Sequence, residues 1–263
     1  MNRKIITIFF CSTSFYCLAQ DSLPALSIKE YPVLWQQMSG EYRALCYQAY
    51  NMAELKLDEA IKKDSQGQKL AIITDLDETV LDNSYMEAYK IINGKDINYA
   101  DWKKWIDQPV VPTVPGSVDF LQYAAQKGVT IFYISNRSMK GMDVTLATLQ
   151  KLKLPDADTA HILLVTDSYS KEGRRQMVSK NYNVVLLFGD NLNDFMQVFE
   201  DRPANQRMAE TDSLRKEWGN KFVILPNAWY GDWENALYNY DPALSEQQKE
   251  AIRRDLLSKG LLK

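Results

Sequence analysis

The chain contains the segment Leu70-Ala71-Ile72-Ile73-Thr74-Asp75-Leu76-Asp77-Glu78-Thr79-Val80, in which an apolar run leads directly into acidic residues. The run at 70–74 shows no alternation of apolar and polar positions, which is typical of a strand buried on both faces of a parallel sheet. A polar break at residues 64–68 precedes it. We therefore predict a central strand that carries two aspartates at its carboxyl end.

Three further apolar runs have the same character, and helix-like stretches separate them. The runs are 129–134, 161–165 and 184–188, and the stretches are 117–127, 142–151 and 171–180. Strands that alternate with helices predict an α/β fold, a doubly wound parallel sheet covered on both faces. Before the first strand, apolar residues at spacings of three and four predict an amphipathic helix that packs on the core: Trp35, Met38, Tyr42, Leu45, Ala49 and Met52.

Polar residues follow each predicted strand. The second strand is followed by Ser135-Asn136-Arg137, the third by Thr166-Asp167 and then Lys171, and the fourth by Gly189-Asp190-Asn191-Leu192-Asn193-Asp194. Ligands of an open parallel sheet bind beyond the carboxyl ends of its strands. We therefore expect four strand ends to converge on one site.

The residue types at these strand ends suit phosphoryl chemistry. Two aspartates at i and i+2 of an extended segment point the same way, so one carboxylate can attack while the other handles a proton. Several carboxylates in one place call for a hard cation such as Mg²⁺. Lys171 adds positive charge, and Ser135 and Asn136 offer donors for phosphoryl oxygens. A single aspartate is more often a solvated turn residue, but four of them in order at strand ends are hard to explain in that way.

Composition excludes several classes of protein. The 263-residue chain has a formal net charge of -3, and no window is dominated by Lys and Arg, which argues against binding of a nucleic-acid polymer. Its single histidine, His161, excludes multi-histidine metal sites and histidine-nucleophile phosphatases, and we interpret it as structural. Catalysis must therefore depend on carboxylates.

Residues 1–19 have the pattern of a secretory signal peptide. Arg3 and Lys4 precede an apolar run that ends in the small residue Ala19. A membrane-spanning helix is the alternative, but the apolar run is shorter than the roughly 20 residues that a bilayer requires. A lipid anchor on Cys11 or Cys17 is a second alternative, although both follow bulky residues. We expect export, to the periplasm, the outer-membrane surface or the medium.

The segments 75–83 and 189–195 together closely resemble motifs of the haloacid dehalogenase superfamily, and within it the class C, four-aspartate acid phosphatases. That family consists of exported bacterial enzymes, including outer-membrane lipoprotein acid phosphatases that act on nucleoside monophosphates and nicotinamide mononucleotide. The similarity extends over most of residues 20–263, as far as Pro226-Asn227-Ala228-Trp229-Tyr230-Gly231.

The resemblance implies a role for each matching residue. Asp75 would be the nucleophile that takes the phosphoryl group, and Asp77 the general acid and base. Magnesium would be held by the Asp75 carboxylate, the Asp77 carbonyl and Asp190, with Asp194 in direct or water-mediated contact. Ser135 and Lys171 would bind phosphoryl oxygens.

The resemblance also implies the layout of the chain. Residues 20–263 would form one domain, with a core at about 68–82 and 114–230 and a mainly helical cap at about 83–113 that the N- and C-terminal helices complete. Trp102 and Tyr230 resemble a pair that sandwiches an aromatic leaving group, although either ring serves equally well as ordinary core. A homodimer is implied, and membrane association only if the chain is lipidated.

These observations predict an exported, magnesium-dependent acid phosphatase. Its substrates would be small phosphomonoesters, namely nucleoside monophosphates, nicotinamide mononucleotide or aryl phosphates. A non-catalytic exported protein of the same fold, which binds phosphate compounds or serves at the surface, is the alternative. Such a relative would be expected to have lost the nucleophile, and Asp75 is present.

Overall fold

The computed structural model describes residues 28–260, apart from positions 66, 96, 99, 102–103 and 105–110. Within these residues the centre of the fold is a five-stranded parallel sheet of order β3-β2-β1-β4-β5. The strands are β1 (Leu70–Thr74), β2 (Thr130–Ser138), β3 (Ile162–Val165), β4 (Asn183–Gly189) and β5 (Phe222–Ile224). The predicted doubly wound α/β fold is therefore confirmed.

Helices connect the strands and cover both faces of the sheet. Their bounds are Glu30–Met38, Gly40–Lys63, Ser84–Asn93, Ser117–Gln126, Met142–Lys151, Glu172–Ser179, Ala204–Ser213, Asp232–Leu237 and Glu246–Gly260. The three crossover helices lie within one residue of their predicted bounds.

No helix in the described part of the chain has both the length and the apolar composition needed to cross a bilayer.

Alternate residues of each strand enter two separate core layers. Ile72 and Ile131 belong to a larger cluster with side chains from helices Gly40–Lys63 and Ser117–Gln126. Ala71 and Ile73 face the opposite side and join a smaller cluster with helix Glu172–Ser179. Because successive side chains of a strand point to opposite faces, a strand buried on both faces must be apolar throughout. This explains why β1 shows no polar alternation.

The N-terminal helical pattern belongs to two helices that meet at Ser39. Ser39 is extended, and its Oγ accepts a hydrogen bond from the backbone N of Tyr42 at 3.0 Å, which caps the second helix. The prediction that Met38, Leu45 and Met52 pack in the core is wrong, because all three are exposed. Met38 lies before the break, and Leu45 and Met52 lie beside the buried stripe of the second helix rather than on it. The residues of the second helix that are buried are Tyr42, Cys46, Tyr50, Ala53 and Leu57.

The strand order places a topological switch point between β1 and β4. The chain moves from β1 outward through β2 to β3, and then returns to the other side of β1 as β4. Thr74 at the end of β1 is paired with Phe188 near the end of β4. Ligand sites of open α/β sheets lie at this crevice, and Asp75 and Asp190 directly follow the two strands that border it.

Some of the sequence predictions fall outside the described residues. These are the signal peptide at 1–19, with Cys11 and Cys17, and the proposed aromatic residue Trp102. The cap prediction for 83–113 is only partly covered, because helix Ser84–Asn93 is described and several positions after it are not. The division into core and cap stays a prediction.

Candidate active site

Three carboxylates converge beyond the ends of β1 and β4. Asp75 follows β1 directly, and its backbone N donates to the carbonyl of Phe188 at 3.0 Å, which joins the two strand ends. Asp190 follows β4, and Asp194 lies one short turn later. One oxygen from each of Asp75, Asp190 and Asp194 lies within 4.8 Å of the others. The sequence prediction that these three residues meet is therefore matched by their positions.

Lys171 enters this cluster from the loop before helix Glu172–Ser179. The Nζ of Lys171 donates to Asp75 Oδ1 and, at 2.5 Å, to Asp194 Oδ1. All three side chains are buried. Burial alone would lower the pKa of Lys171, but Asp194 and Asp75 raise it above its ordinary value, so the ammonium form persists.

The cluster carries more negative charge than Lys171 balances. Burial raises the pKa of Asp75 to about 7, although Lys171 opposes the shift. Burial, together with the charges of Asp194 and Asp75, raises the pKa of Asp190 well above its usual value. Both shifts reflect burial and the neighbouring carboxylates, whose combined effect exceeds the opposing effect of Lys171. Three closely spaced carboxylate oxygens are also the donor set that a hard divalent cation prefers, so the residues fit such an ion.

Asp77 has different partners, although it stands only two residues from Asp75. Arg137 holds its carboxylate through Nη2 at 2.7 Å from Oδ1 and Nε at 3.0 Å from Oδ2, and Asn83 Nδ2 donates to Oδ1 at 2.7 Å. Burial would raise the pKa of Asp77, but Arg137 and Asn83 stabilise the charged form more strongly, so the pKa lies below its usual value. The Asp77 carboxylate is thus held at the edge of the cluster by a bidentate ion pair.

The end of β2 separates Ser135 from Asn136. Ser135 is buried and its Oγ is 3.5 Å from Asp77 Oδ2. Asn136 is exposed, and its Oδ1 accepts from Arg174 Nη2 at 2.7 Å. Both lie within β2, where successive side chains point to opposite faces. The structure therefore brings Ser135 and Arg137 to Asp77 but does not bring Asn136, and we leave Asn136 out of the phosphate-binding set.

A cavity of about 430 Å³ opens beside Asp77. Its wall includes Tyr230, whose hydroxyl donates to Glu78 Oε2 at 2.5 Å. Glu78 is fully buried, and burial raises its pKa well above the usual value. The remaining lining residues are Lys29, Asn83, Met86, Glu87, Lys90, Arg137 and Trp229. The cavity gives a leaving group room next to the Asp77 carboxylate.

Residue-by-residue reasoning from the sequence missed several members of this site. Arg137, Asn83 and Asn227 all lie in motifs that the sequence analysis quoted, yet it assigned them no role. Asn227 Nδ2 donates to Asp190 Oδ2 at 2.8 Å and so orients that carboxylate. Their positions in the motifs were the available signal, but the partners of Arg137 and Asn227 lie 60 and 37 residues away in sequence. His161 and its hydrogen-bond partner Asp158 both precede β3. They therefore lie at the end of the strand that faces away from the carboxylate cluster, in agreement with a structural role.

Comparison with known proteins gives consistent matches. A sequence model of the HAD superfamily, subfamily IIIB (Acid phosphatase), matches residues 21–233. The class C acid phosphatase from Bacillus anthracis is 43% identical, with a TM-score of 0.81 over 88% of this chain and 96% of that one. The crystal structure of the Bacillus anthracis class C acid phosphatase with tungstate bound is also 43% identical, with a TM-score of 0.82 over 88% of this chain and 97% of that one.

Proposed function

Because the chain belongs to the acid phosphatases of HAD superfamily subfamily IIIB and is a phosphomonoesterase, we propose that it hydrolyses phosphomonoesters through a phosphoryl-enzyme formed on Asp75. The observation that carries this proposal is the meeting of Asp75, Asp190 and Asp194, with Lys171 bonded to Asp75 and Asp194. The class predicted from the motifs is confirmed by the family match. The role of each residue is our assignment.

In the first half-reaction an Asp75 oxygen attacks phosphorus and the bond from phosphorus to the leaving oxygen breaks. Lys171 touches Asp75, so its ammonium opposes protonation of that carboxylate and is available to phosphoryl oxygens as their charge develops. Ser135 is a further donor at the same strand ends. Asp75 is placed for attack by the backbone bond to Phe188, which fixes the end of β1.

Asp77 supplies and removes the proton. It protonates the departing alkoxide in the first half-reaction and takes a proton from water in the second, when water attacks phosphorus and releases Asp75. Arg137 lowers the pKa of Asp77, so the acid form needed for the first step is populated at low pH. An acidic pH optimum follows from that cause.

We assign the cation as Mg²⁺, held by Asp75, Asp190 and Asp194, with the carbonyl of Asp77 as a further ligand. Phosphatases of this superfamily use a divalent metal ion. When bound, the ion supplies positive charge that offsets the carboxylates and the phosphoryl oxygens. Asn227 keeps the Asp190 carboxylate oriented for that purpose.

The cavity beside Asp77 supports small substrates with a planar leaving group. Tyr230 lines it, so an aromatic ring or base can pack against that side chain. We propose nucleoside monophosphates, nicotinamide mononucleotide and aryl phosphates as substrates, with Trp102 as the second ring. We also propose export directed by residues 1–19, and a homodimer.

Hydrolysis of an aryl phosphate at pH 5–6 tests this proposal. Wild-type protein should be active with Mg²⁺ and inactive with chelator. Asp75→Asn should lose more than about 99% of the activity, because it removes the attacking charge while keeping the shape. Asp212→Asn, the same change at an exposed helix position, is the control and should be fully active. A folded wild-type protein that binds inorganic phosphate but hydrolyses nothing would favour the non-catalytic alternative.

A further inference from the structure

We propose that Gln36, on the N-terminal helix Glu30–Met38, is a positioning residue that fixes the aromatic wall of the active-site cavity. Gln36 lies outside every motif of the sequence analysis and does not line the cavity. The inference rests on the proposed function, because it takes the cavity as the place of the leaving group. It adds the N-terminal helix to the elements that shape the site.

The side chain of Gln36 links two distant segments. It is only 3% exposed; its Nε2 donates to Asp82 Oδ1 at 2.7 Å, and its Oε1 accepts from Trp229 Nε1 at 2.9 Å. One amide therefore satisfies a buried carboxylate on the loop after β1 and a buried indole after β5. An apolar side chain of similar size would leave both groups without this partner.

The Asp82 end of the link leads to the acid and base. Asp82 Oδ1 also accepts from Ser84 N at 3.0 Å, which fixes the start of helix Ser84–Asn93. The residue between them, Asn83, donates through Nδ2 to Asp77 Oδ1 at 2.7 Å and through its backbone N to Glu78 Oε1 at 2.7 Å. Asp82 thus helps to hold Asn83 on Asp77, and its bond from Ser84 N does not depend on Gln36.

The Trp229 end leads to the cavity wall. The rings of Trp229 and Tyr230 are in contact, with centroids 4.3 Å apart, and the Tyr230 hydroxyl donates to Glu78 Oε2. The backbone N of Trp229 also donates to Asn227 Oδ1 at 3.1 Å. The contacts therefore close into a ring of six residues: Gln36, Asp82, Asn83, Glu78, Tyr230 and Trp229.

A closed ring of this kind constrains position more than any of its bonds does alone. If Gln36 is replaced by an apolar residue, Trp229 is free to move relative to the loop that holds Asp77. The cavity wall then becomes less well placed for a leaving group, while Asp75, Lys171 and the carboxylate cluster keep their contacts. The expected kinetic result is weaker binding of large leaving groups with little change in the chemical step.

Gln36→Leu tests the inference in the full-length protein. We expect KM for an aryl phosphate to rise roughly 5- to 20-fold, with kcat within about threefold of wild type, and KM for ethyl phosphate to change less than about twofold. Gln37→Leu is the matched control, because the side-chain nitrogen of Gln37 has no hydrogen-bond partner among the described residues. It should leave both KM values unchanged.

Trp229→Phe provides a second route if Gln36→Leu folds poorly. It removes the indole donor and keeps an aromatic ring, so it should raise KM for the aryl substrate in the same selective way. If Gln36 acts through Trp229, KM for the aryl phosphate in the double variant should be no higher than in the single variant with the higher KM. The reason is that both changes break the same link. Independent effects that multiply in the double variant would overturn the inference.

Binding of phenylphosphonate and ethylphosphonate, measured by calorimetry, separates this inference from the proposed function. Neither compound can be hydrolysed, so the comparison does not depend on turnover. Selective weakening of phenylphosphonate binding by Gln36→Leu supports the inference even if the wild-type protein hydrolyses nothing. Equal weakening of both compounds, or no weakening of either, contradicts it.

Discussion

Replacement of Gly189 by alanine should displace Asp194. Gly189 ends β4, and a Cβ at this position would lie 2.3 Å from Asp194 Oδ2, 2.4 Å from its Cβ and 2.6 Å from its Cγ. Ordinary contacts begin near 3.4 Å, so the Asp194 side chain must withdraw by about 1 Å. Its backbone cannot follow easily, because its N donates to the Asn191 carbonyl and Arg175 holds its own carbonyl.

The magnitude follows from that displacement. A shift of about 1 Å in a catalytic group costs on the order of 100-fold in rate. Asp194 is also an assigned metal ligand, and disturbing even a residue that only orients a ligand costs roughly 10- to 100-fold in metal affinity. The added methyl group should also lower the free energy of unfolding by about 1–3 kcal/mol through overpacking. We therefore expect kcat/KM to fall about 100-fold and the Mg²⁺ concentration for half-maximal activity to rise at least tenfold.

The assay measures kcat/KM for an aryl phosphate at increasing magnesium concentrations. Thermal unfolding of the same samples reports their stability. Gly173→Ala is the matched control. Gly173 lies in helix Glu172–Ser179, a Cβ there would meet nothing within 4 Å, and alanine is the better helix former. A folded Gly189→Ala protein with wild-type kcat/KM and magnesium dependence would refute the reasoning, because Asp194 would then tolerate displacement.

Three further predictions concern pH, metal and stability. Arg137→Met should raise the pKa of Asp77, so the fall of kcat/KM on the alkaline side should move to higher pH in a pH–rate profile. Because burial raises the pKa of Asp75 to about 7, Mg²⁺ must displace a proton at low pH, and its affinity measured by calorimetry should rise at least about tenfold from pH 5 to 7. Tyr50→Phe should cost about 1–3 kcal/mol of unfolding free energy in urea denaturation, because the buried Tyr50 hydroxyl donates to the Thr79 carbonyl at 2.7 Å.

Controls keep these predictions specific. Arg137→Lys retains the charge and should move the alkaline limb less than Arg137→Met; equal shifts would contradict the electrostatic cause. Magnesium affinity that is equal at pH 5 and 7 would contradict the protonation of Asp75. Tyr31 is 82% exposed, so Tyr31→Phe should leave stability unchanged, and a cost equal to that of Tyr50→Phe would exclude a role for the buried hydrogen bond.

The short-range features of the fold were predictable because they depend on local patterns. A strand buried on both faces must be apolar throughout, so β1 could be located to the residue. The acidic residues at the strand ends follow directly from that placement. By contrast, β5 has only three residues and no recognisable pattern, and the break at Ser39 interrupts a periodicity that continues on both sides of it.

The amino-acid sequence by itself determined the strand-helix alternation, the aspartates at the strand ends and the family to which they belong. Only the tertiary structure decided which partner each side chain meets: Arg137 on Asp77, Arg174 on Asn136, and Gln36 between Asp82 and Trp229. The physical reason is that secondary structure depends on which of a few neighbouring residues are buried. A hydrogen bond between positions 36 and 229 exists only when packing has brought two distant segments together.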